Sequence, residues 1–266
     1  MSDTVLNELR YRDAALFWIG CGMLLTLVVA TLLSISDSRL ILGINPWIKP
    51  MKFLTSITIF LWSVAWYMPE TIDRPRLRAI VRWVIGLAMI VEIACIILQV
   101  VRGTTSHFNI ATAFDGMVFN IMGQTILLNT LAMVLFACII RRDTPPQRTG
   151  YLWGIRAGLA IFLLASLEGV ILIINGAHTV GGPDGGAGLP FVNWSTQHGD
   201  LRVAHFFGMH AMQALPLIGF LMDHVGNPFA GVTVRRNLVL AAGIIWVAVM
   251  GGVLMMALQG RPLLAL

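Results

Sequence analysis

The sequence is poor in charge: of its 266 residues, 12% are Asp, Glu, Lys or Arg, about half the share found in soluble domains. A soluble protein needs charged residues to cover its surface, so this shortage excludes a soluble fold and indicates that lipid covers the chain. Lysine is scarcer still, with Lys49 and Lys52 alone. Because the last apolar run has no lysine, a retinal pigment of the microbial-rhodopsin type is excluded.

Cysteine is also scarce, and this argues against a disulfide framework. Cys21, Cys95 and Cys138 all fall inside apolar runs, which predicts buried free thiols. The segments between the apolar runs are short, so residues 1–266 are predicted to form one membrane domain. The run after the polar N-terminus is longer than a signal-peptide core and lacks a cleavage site, and we interpret it as a retained first span.

The sequence is rich in apolar residues: 57% of its residues are hydrophobic and the mean hydropathy is +0.81. A helix needs about 20 apolar residues to cross a bilayer. Continuous runs without period-two alternation favour helices over a barrel. The sequence therefore predicts an all-α integral membrane protein, a bundle of seven transmembrane helices at about 14–35, 46–68, 79–101, 112–140, 152–175, 201–222 and 237–258.

The distribution of positive charge predicts the orientation. Twelve of the 18 Lys and Arg residues fall on the side of the N-terminus, if there are seven spans. The positive-inside rule then predicts a cytoplasmic N-terminus and an outer C-terminus, in a bacterial-type cytoplasmic (inner) membrane. The positive charges flank apolar runs and do not form one basic patch, so the expected partner is the lipid bilayer and not nucleic acid.

The histidines show the opposite asymmetry, which indicates a polar site near the outer face. Five of the six lie on the predicted outer side or in the outer half of a span: His107, His178, His198, His205 and His210. Intramembrane ionisable residues are functional by default. His205 and His210 are five residues apart, about 140° around a helix. They would therefore pair with residues of other helices, such as His107, to hold zinc or haem. Packing through hydrogen bonds is the alternative.

Two further polar clusters are candidates for substrate binding. Lys49 and Lys52 lie in the first turns of the second span, after a predicted helix start at Asn45-Pro46. The N-terminal end of a helix dipole is positive, so cations there are unfavourable unless an anion balances their charge. This pattern predicts an anion site. The alternative is that the lysine side chains extend to the lipid headgroups. The segment between spans 3 and 4 adds a dense polar set: Gln99, Arg102, Ser106, His107, Asn109 and Asp115.

Acidic residues lie deep in two spans. Glu92 and Glu168 occupy the middle of spans 3 and 5, where a charged acid costs about 2.5–3.5 kcal/mol. They are either protonated or held by a partner. Glu92 and Gln99 share one stripe leading to Arg102. A proton relay through Glu92, Glu168 and Gln99 and a packed hydrogen-bond network both fit this pattern.

The Gly-rich segment 181–190 lies in the longest loop, residues 176–200, and its composition predicts a flexible outer loop; a lid over a site is the alternative. On the adjoining sixth span, His198, Arg202, His205, Met209 and Met212 would share one stripe if the helix already included residue 198. Gly251-Gly252 in the seventh span suits close helix packing.

In order along the chain, Ser106, His107, Asp115, His205 and His210 resemble the zinc-binding residues of the ceramidase and adiponectin-receptor-like seven-span hydrolases. The resemblance covers five residues and no continuous motif. The serine is adjacent to the histidine, the late pair is spaced by five, and that pair lies in the sixth span. The resemblance implies a zinc site and is treated as an analogy.

Three functions remain open at this stage. The first is a metal- or haem-dependent membrane enzyme or redox protein acting on a small anionic or lipid-like ligand. In it, His107, His205 and His210 would hold the metal, Asp115 or Asp200 would be the general base, and Lys49, Lys52, Arg102 and Arg202 would bind substrate. The second is a proton-coupled transporter or receptor for a small anion that uses Glu92 and Glu168. The third is a scaffold subunit of a membrane complex.

Overall fold

A computed structural model describes residues 4–224 and 231–265, and this part of the chain is almost entirely helical. The helices are α1 (Val5–Arg12), α2 (Ala14–Ser36), α3 (Ile48–Tyr67), α4 (Pro75–Val101), α5 (Ala113–Ile139), α6 (Thr149–Asn175), α7 (Leu201–His224) and α8 (Val232–Leu258). Short 3₁₀ turns cover Met68–Glu70 and Pro146–Arg148, and strands β1 (Thr179–Val180) and β2 (Gly199–Asp200) pair antiparallel. Helices α2 to α8 are the seven that are long and apolar enough to cross a membrane, as the sequence predicts.

The chain divides into two compact units, residues 1–136 and 137–266. In the first, α1 to α4 pack together. Asp13 joins three of these helices. Its amide donates a hydrogen bond to the carbonyl of Leu9 in α1. Its carboxylate caps α2 by accepting a hydrogen bond from the amide of Leu16 and forms a 2.7 Å ion pair with Arg82 of α4. Trp62 of α3 packs on Gly20 of α2 and donates a 3.3 Å hydrogen bond to the carbonyl of Phe17.

In the second unit α6, α7 and α8 form a three-helix bundle around small residues. Gly150, Gly154 and Gly158 lie one turn apart on α6, and each meets the backbone of α7 so closely that a Cβ would collide with it. Close backbone contact at small residues is typical of helices that pack within a membrane. Gly251 and Gly252, which suit close helix packing, have no atom of the described chain within 4 Å of a Cβ position, so they make no such contact with the other described helices.

An aspartate ties the ends of two helices in the second unit. Asp223, in the last turn of α7, accepts hydrogen bonds from the backbone amides of Gly150 (3.0 Å) and Tyr151 (2.8 Å), in the first turn of α6. Arg235 of α8 forms a 3.3 Å ion pair with the same carboxylate. The amides at a helix start lack intrahelical partners, so one buried carboxylate satisfies two of them and joins three helices.

Several sequence predictions need correction at this level. Helix α3 begins at Ile48 with no side-chain cap; the Asn45 side chain accepts a hydrogen bond from the amide of Trp47, in the turn before the helix. His198 precedes β2 and lies outside α7, so it does not share the predicted stripe with His205. The three cysteines are free, as predicted, but none is buried: Cys21 and Cys95 are half-buried and Cys138 is exposed.

Candidate functional site

The first unit places a buried acid beside a histidine. Glu92 lies on the packed face of α4 with 2% of its surface exposed. Its Oε1 atom is 3.5 Å from Nε2 of His107, a distance for an ion pair rather than a strong hydrogen bond. Its Oε2 atom has no hydrogen-bond partner among the described residues. A buried carboxylate oxygen without a donor is unfavourable, so this atom marks a place where a proton or a polar ligand is expected.

The neighbours of His107 aim its ring at α4. The hydroxyl of Ser106 lies 3.1 Å from Nδ1, on the edge of the ring opposite the Glu92 contact. Phe53 of α3 packs on the ring with a centroid distance of 5.6 Å. The next residue, Phe108, has a left-handed backbone (φ 57°), which turns the chain sharply after the histidine. Contacts on both sides of the ring therefore hold Nε2 towards Glu92.

Lysine completes this group on α3. Lys49 and Lys52 lie in the first two turns of the helix, as predicted from the sequence. Both are half-buried. Lys49 contributes a positive charge to the same compact unit as Glu92. The site therefore combines an acid, an imidazole and an ammonium group from three chain segments. We refer to Lys49, Glu92, Ser106 and His107 as the Glu92 site.

The predicted cluster around Asp115 is present, but its members bind one another. Asp115 accepts hydrogen bonds from Gln99 (2.9 Å), from the hydroxyl of Thr112 (2.6 Å) and from Arg102. Its own amide donates to Thr112, so the two residues cap the start of α5. Arg102 also bonds Gln99 and lies over the ring of Phe114. These contacts favour a structural role over the predicted roles of Asp115 as general base and Arg102 as substrate-binding cation.

The same holds for Asp200 and Arg202 in the second unit. Asp200 is 2% exposed and accepts hydrogen bonds from the amides of Ser195 (2.8 Å) and Arg202 (3.0 Å). The guanidinium group of Arg202 forms an ion pair with this carboxylate and a hydrogen bond to the carbonyl of Asn193. The predicted general base and the predicted substrate-binding cation thus hold the loop onto the start of α7.

The loop 176–200 is folded by its carboxylates, in contrast to the flexible segment predicted from its glycines. Asp184 accepts hydrogen bonds from the amides of His178 and Thr179 and from the Thr179 hydroxyl, and its Oδ2 atom is 2.6 Å from Nδ1 of His178. Burial raises the pKa of Asp184, but these hydrogen bonds outweigh it and hold the pKa well below its usual range. The signal for this fold was the Pro183-Asp184-Gly185 turn, whose aspartate the sequence analysis left without a role.

The α6–α7 interface holds the remaining predicted residues. Glu168 is 5% exposed, and neither of its carboxylate oxygens has a hydrogen-bond partner in the described chain. Nδ1 of His205 lies 3.0 Å from the carbonyl oxygen of Ala165. His210 packs on Phe206 with a centroid distance of 4.3 Å. Packing contacts of this kind are the alternative that the sequence left open for the histidines.

The structure gives no support for a metal centre. Within residues 4–224 and 231–265, no three His, Cys, Asp or Glu side chains are grouped so that they could hold a metal ion. Of the predicted ligands, His107 belongs to the first unit, whereas His205 and His210 belong to the second. No structural observation therefore supports the predicted binding of zinc or haem.

An open apolar groove lies between α6 and α8, with an empty volume of about 640 Å³. It is lined by Ala157, Ala160, Ile161, Leu240, Gly243, Ile244 and Val247. None of the predicted site residues lines this groove, and its lining is apolar.

Comparison with known proteins adds no assignment. No protein-family model, no curated protein sequence and no solved structure matches this chain. The part of the chain that the structure describes is almost entirely helical and has seven helices able to span a membrane, which is compatible with a multi-pass membrane protein. Any function must therefore be argued from the side chains.

Proposed function

We propose that this chain is a multi-pass membrane protein that binds and transports a small anion together with a proton, at the Glu92 site. One observation carries the proposal. Glu92 is buried with one carboxylate oxygen 3.5 Å from His107 and the other without a hydrogen-bond partner in the described residues. An intramembrane acid of this kind marks a proton or substrate path.

The coupling follows from a change of counter-ion. When Glu92 is ionised, its carboxylate balances the positive charges of Lys49 and of a protonated His107. When Glu92 takes up a proton, it no longer balances these positive charges, and a carboxylate, sulfate or phosphate group can balance them in its place. Proton binding then strengthens anion binding, and by linkage the anion strengthens proton binding to the same degree. Arg102 is held by Asp115 and takes no part in this exchange.

Reconstitution into liposomes tests the proposal. Uptake of labelled succinate, sulfate or phosphate should be driven by an inward proton gradient and accompanied by proton uptake. Glu92→Gln, which keeps the shape but not the titration, should abolish the response of uptake to the gradient. Glu8→Gln, at an acid that is 40% exposed on α1, is the matched control and should behave as the wild type. Folded protein that moves none of the three anions in response to the gradient would contradict the proposal.

For the membrane orientation we propose a cytoplasmic N-terminus and an outer C-terminus in a bacterial inner membrane, supported by the arginine distribution. The ends of α3 and α4 that carry Lys49 and Arg102 would then face outwards. Single cysteines at Ser38 and Asp73, in a background without the native cysteines, test this. A membrane-impermeant maleimide should label the first in intact cells and the second only after lysis; the reverse pattern would contradict the orientation.

A further inference from the structure

The apolar groove between α6 and α8 has a positively charged end. Trp153 lies one turn before Ala157 on α6, so it continues the α6 wall of the groove. Arg236 lies one turn before Leu240 on α8 and continues the opposite wall in the same way. The guanidinium carbon of Arg236 is 5.9 Å from the centroid of the Trp153 ring, so the two side chains meet between the helices. The groove therefore runs from an apolar stretch into a cation that lies on an indole ring.

A second arginine contacts the same indole ring. The guanidinium carbon of Arg156 is 5.1 Å from the Trp153 centroid. Its terminal nitrogens donate hydrogen bonds to neutral oxygens, which are the hydroxyl of Thr144 (3.0 Å) and the carbonyls of Arg141 (2.8 Å) and Arg142 (3.0 Å). Arg236 donates to the side-chain oxygen of Asn237 (3.2 Å) and forms no ion pair with an acid of the described chain. Two positive charges thus converge on Trp153, and neither is bound to a carboxylate in residues 4–224 and 231–265.

The chain around this end of the groove is strongly basic. Segments 137–160 and 220–240, which include the starts of α6 and α8 and the end of α7, contain six arginines and two aspartates: Arg141, Arg142, Arg148, Arg156, Arg235, Arg236, Asp143 and Asp223. Asp223 is engaged by Arg235 and by the amides at the start of α6. Asp143 is 69% exposed and lies 3.9 Å from Arg141. This excess of positive charge favours an anion supplied by another molecule.

The groove and its basic end together define the chemistry of a ligand. An acyl chain matches the apolar part, whose α8 wall from Leu240 to Val247 is about 10 Å long and faces the small residue Ala160. A phosphate group matches the guanidinium groups, and basic pockets between transmembrane helices are typical sites for anionic lipid headgroups. A free phosphate ion would occupy the basic end alone. A zwitterionic lipid carries an ammonium group, which the arginines repel.

We propose that the α6–α8 groove binds one anionic diacyl phospholipid, with an acyl chain along Ala160 and Gly243 and the phosphate group beside Arg236 and Arg156. The lipid is bound intact, and no covalent bond is made or broken. The site rests on the membrane location given under the proposed function. It does not rest on anion transport, because all of its residues belong to the second unit and the Glu92 site belongs to the first.

Native mass spectrometry of the purified full-length protein tests the basic end of the site. With phosphatidylglycerol and phosphatidylcholine added at equal concentrations, the wild type should retain one phosphatidylglycerol in preference to phosphatidylcholine. Arg236→Gln should lower this preference about fivefold. Arg76→Gln, at an exposed arginine in the first turn of α4, removes the same charge from the other unit and should keep the wild-type preference. Equal retention of the two lipids by the wild type, or an unchanged preference in folded Arg236→Gln, would overturn the proposal.

A second pair of variants tests the acyl-chain part of the groove. Ala160 is exposed and lines the groove, so Ala160→Phe should fill it and lower retention of phosphatidylglycerol several-fold. Ala248→Phe, at an exposed position of α8 outside the lining, is the matched control and should retain the lipid as the wild type does. Full retention by folded Ala160→Phe, together with displacement of the lipid by inorganic phosphate, would indicate an anion site alone and contradict the proposal.

The same measurement separates this site from the proposed transport. Glu92→Gln, which is expected to abolish the coupling of uptake to protons, should retain phosphatidylglycerol as the wild type does. Loss of lipid in Glu92→Gln would contradict a site confined to the second unit. Selective lipid retention by a wild type that transports no anion would leave the groove site standing and remove only the transport function.

Discussion

The Nε2 atom of His107 lies 3.5 Å from Oε1 of Glu92, although Glu92 belongs to α4 and His107 lies in the loop after that helix. The hydroxyl of Ser106 lies 3.1 Å from the other ring nitrogen. Ser106 itself is 2% exposed, so this contact is shielded from water. The serine is therefore a positioning residue: it fixes the ring that faces the acid.

Removing the contact between Ser106 and His107 should change the proton affinity of the site more than its ability to take up the anion. In Ser106→Ala the His107 ring is free to turn, and we expect the pH at which anion uptake is half-maximal to shift. Loss of one such hydrogen bond is worth about 1 kcal/mol, or roughly fivefold in proton affinity. Ser106→Thr keeps the hydroxyl and should restore the wild-type profile. Identical pH profiles for Ser106→Ala and the wild type would rule out the positioning role.

The glycines of α6 should be far less tolerant than those of α8. In Gly154→Ala the new methyl group would meet the backbone of α7 at Leu215 and Pro216, and overpacking of this kind costs about 1–3 kcal/mol. Gly251→Ala is the matched control, because no described atom lies within 4 Å of its Cβ position. Thermal unfolding in detergent should show a lower Tm for the first variant alone. Equal Tm values would mean that the α6–α7 contact is looser than described.

Asp223 should be among the most sensitive residues of the second unit. Its side chain is fully buried and bonds two backbone amides and Arg235, so Asp223→Ala leaves all three without an acceptor. Breaking a buried pair on one side costs about 3–5 kcal/mol. Asp143→Ala, at an aspartate that is 69% exposed and 3.9 Å from Arg141, should cost less than about 1 kcal/mol. Comparable losses of unfolding free energy in the two variants would contradict the capping role.

The fold of the loop 176–200 should depend on the charge of Asp184. The folded state holds its pKa below the usual range, so its carboxylate stabilises the loop above the unfolded pKa, about 4, and this contribution is lost as pH falls below that value. The wild-type loop should therefore resist proteolysis at pH 5–8 and open in stronger acid. Asp184→Asn should be cleaved already at neutral pH. Loops of equal resistance in the two proteins would argue against this account.

The sequence predicted the helices well because a helix long enough to cross a bilayer needs an apolar run of matching length. Its errors lie at helix ends. Helix α8 begins at Val232 and not at 237. Its first turn therefore includes Arg235, whose side chain forms an ion pair with Asp223. Helix α4 likewise begins at Pro75, ahead of several arginines. Hydropathy detects the apolar part of a helix, whereas charged side chains that extend it are invisible to that measure.

The candidate site was predicted in part. Gln99, Arg102 and Asp115 were expected to form one polar cluster, and they bond one another. The contact of Glu92 with His107 could not be predicted, because it depends on how the chain turns after α4. Sequence spacing suggested partners for the histidines on other helices but gave no ring orientation, which here comes from contacts with Ser106 and Phe53.

The most direct test of the Glu92 site is the number of protons taken up when an anion binds. Calorimetric titration of the detergent-solubilised protein, in two buffers of different ionisation enthalpy, measures this number with succinate, sulfate or phosphate as the probe. The account predicts uptake of about one proton per bound anion in the wild type and in Glu8→Gln, and about none in Glu92→Gln. Binding without proton uptake in the wild type, or equal uptake in Glu92→Gln, would contradict it.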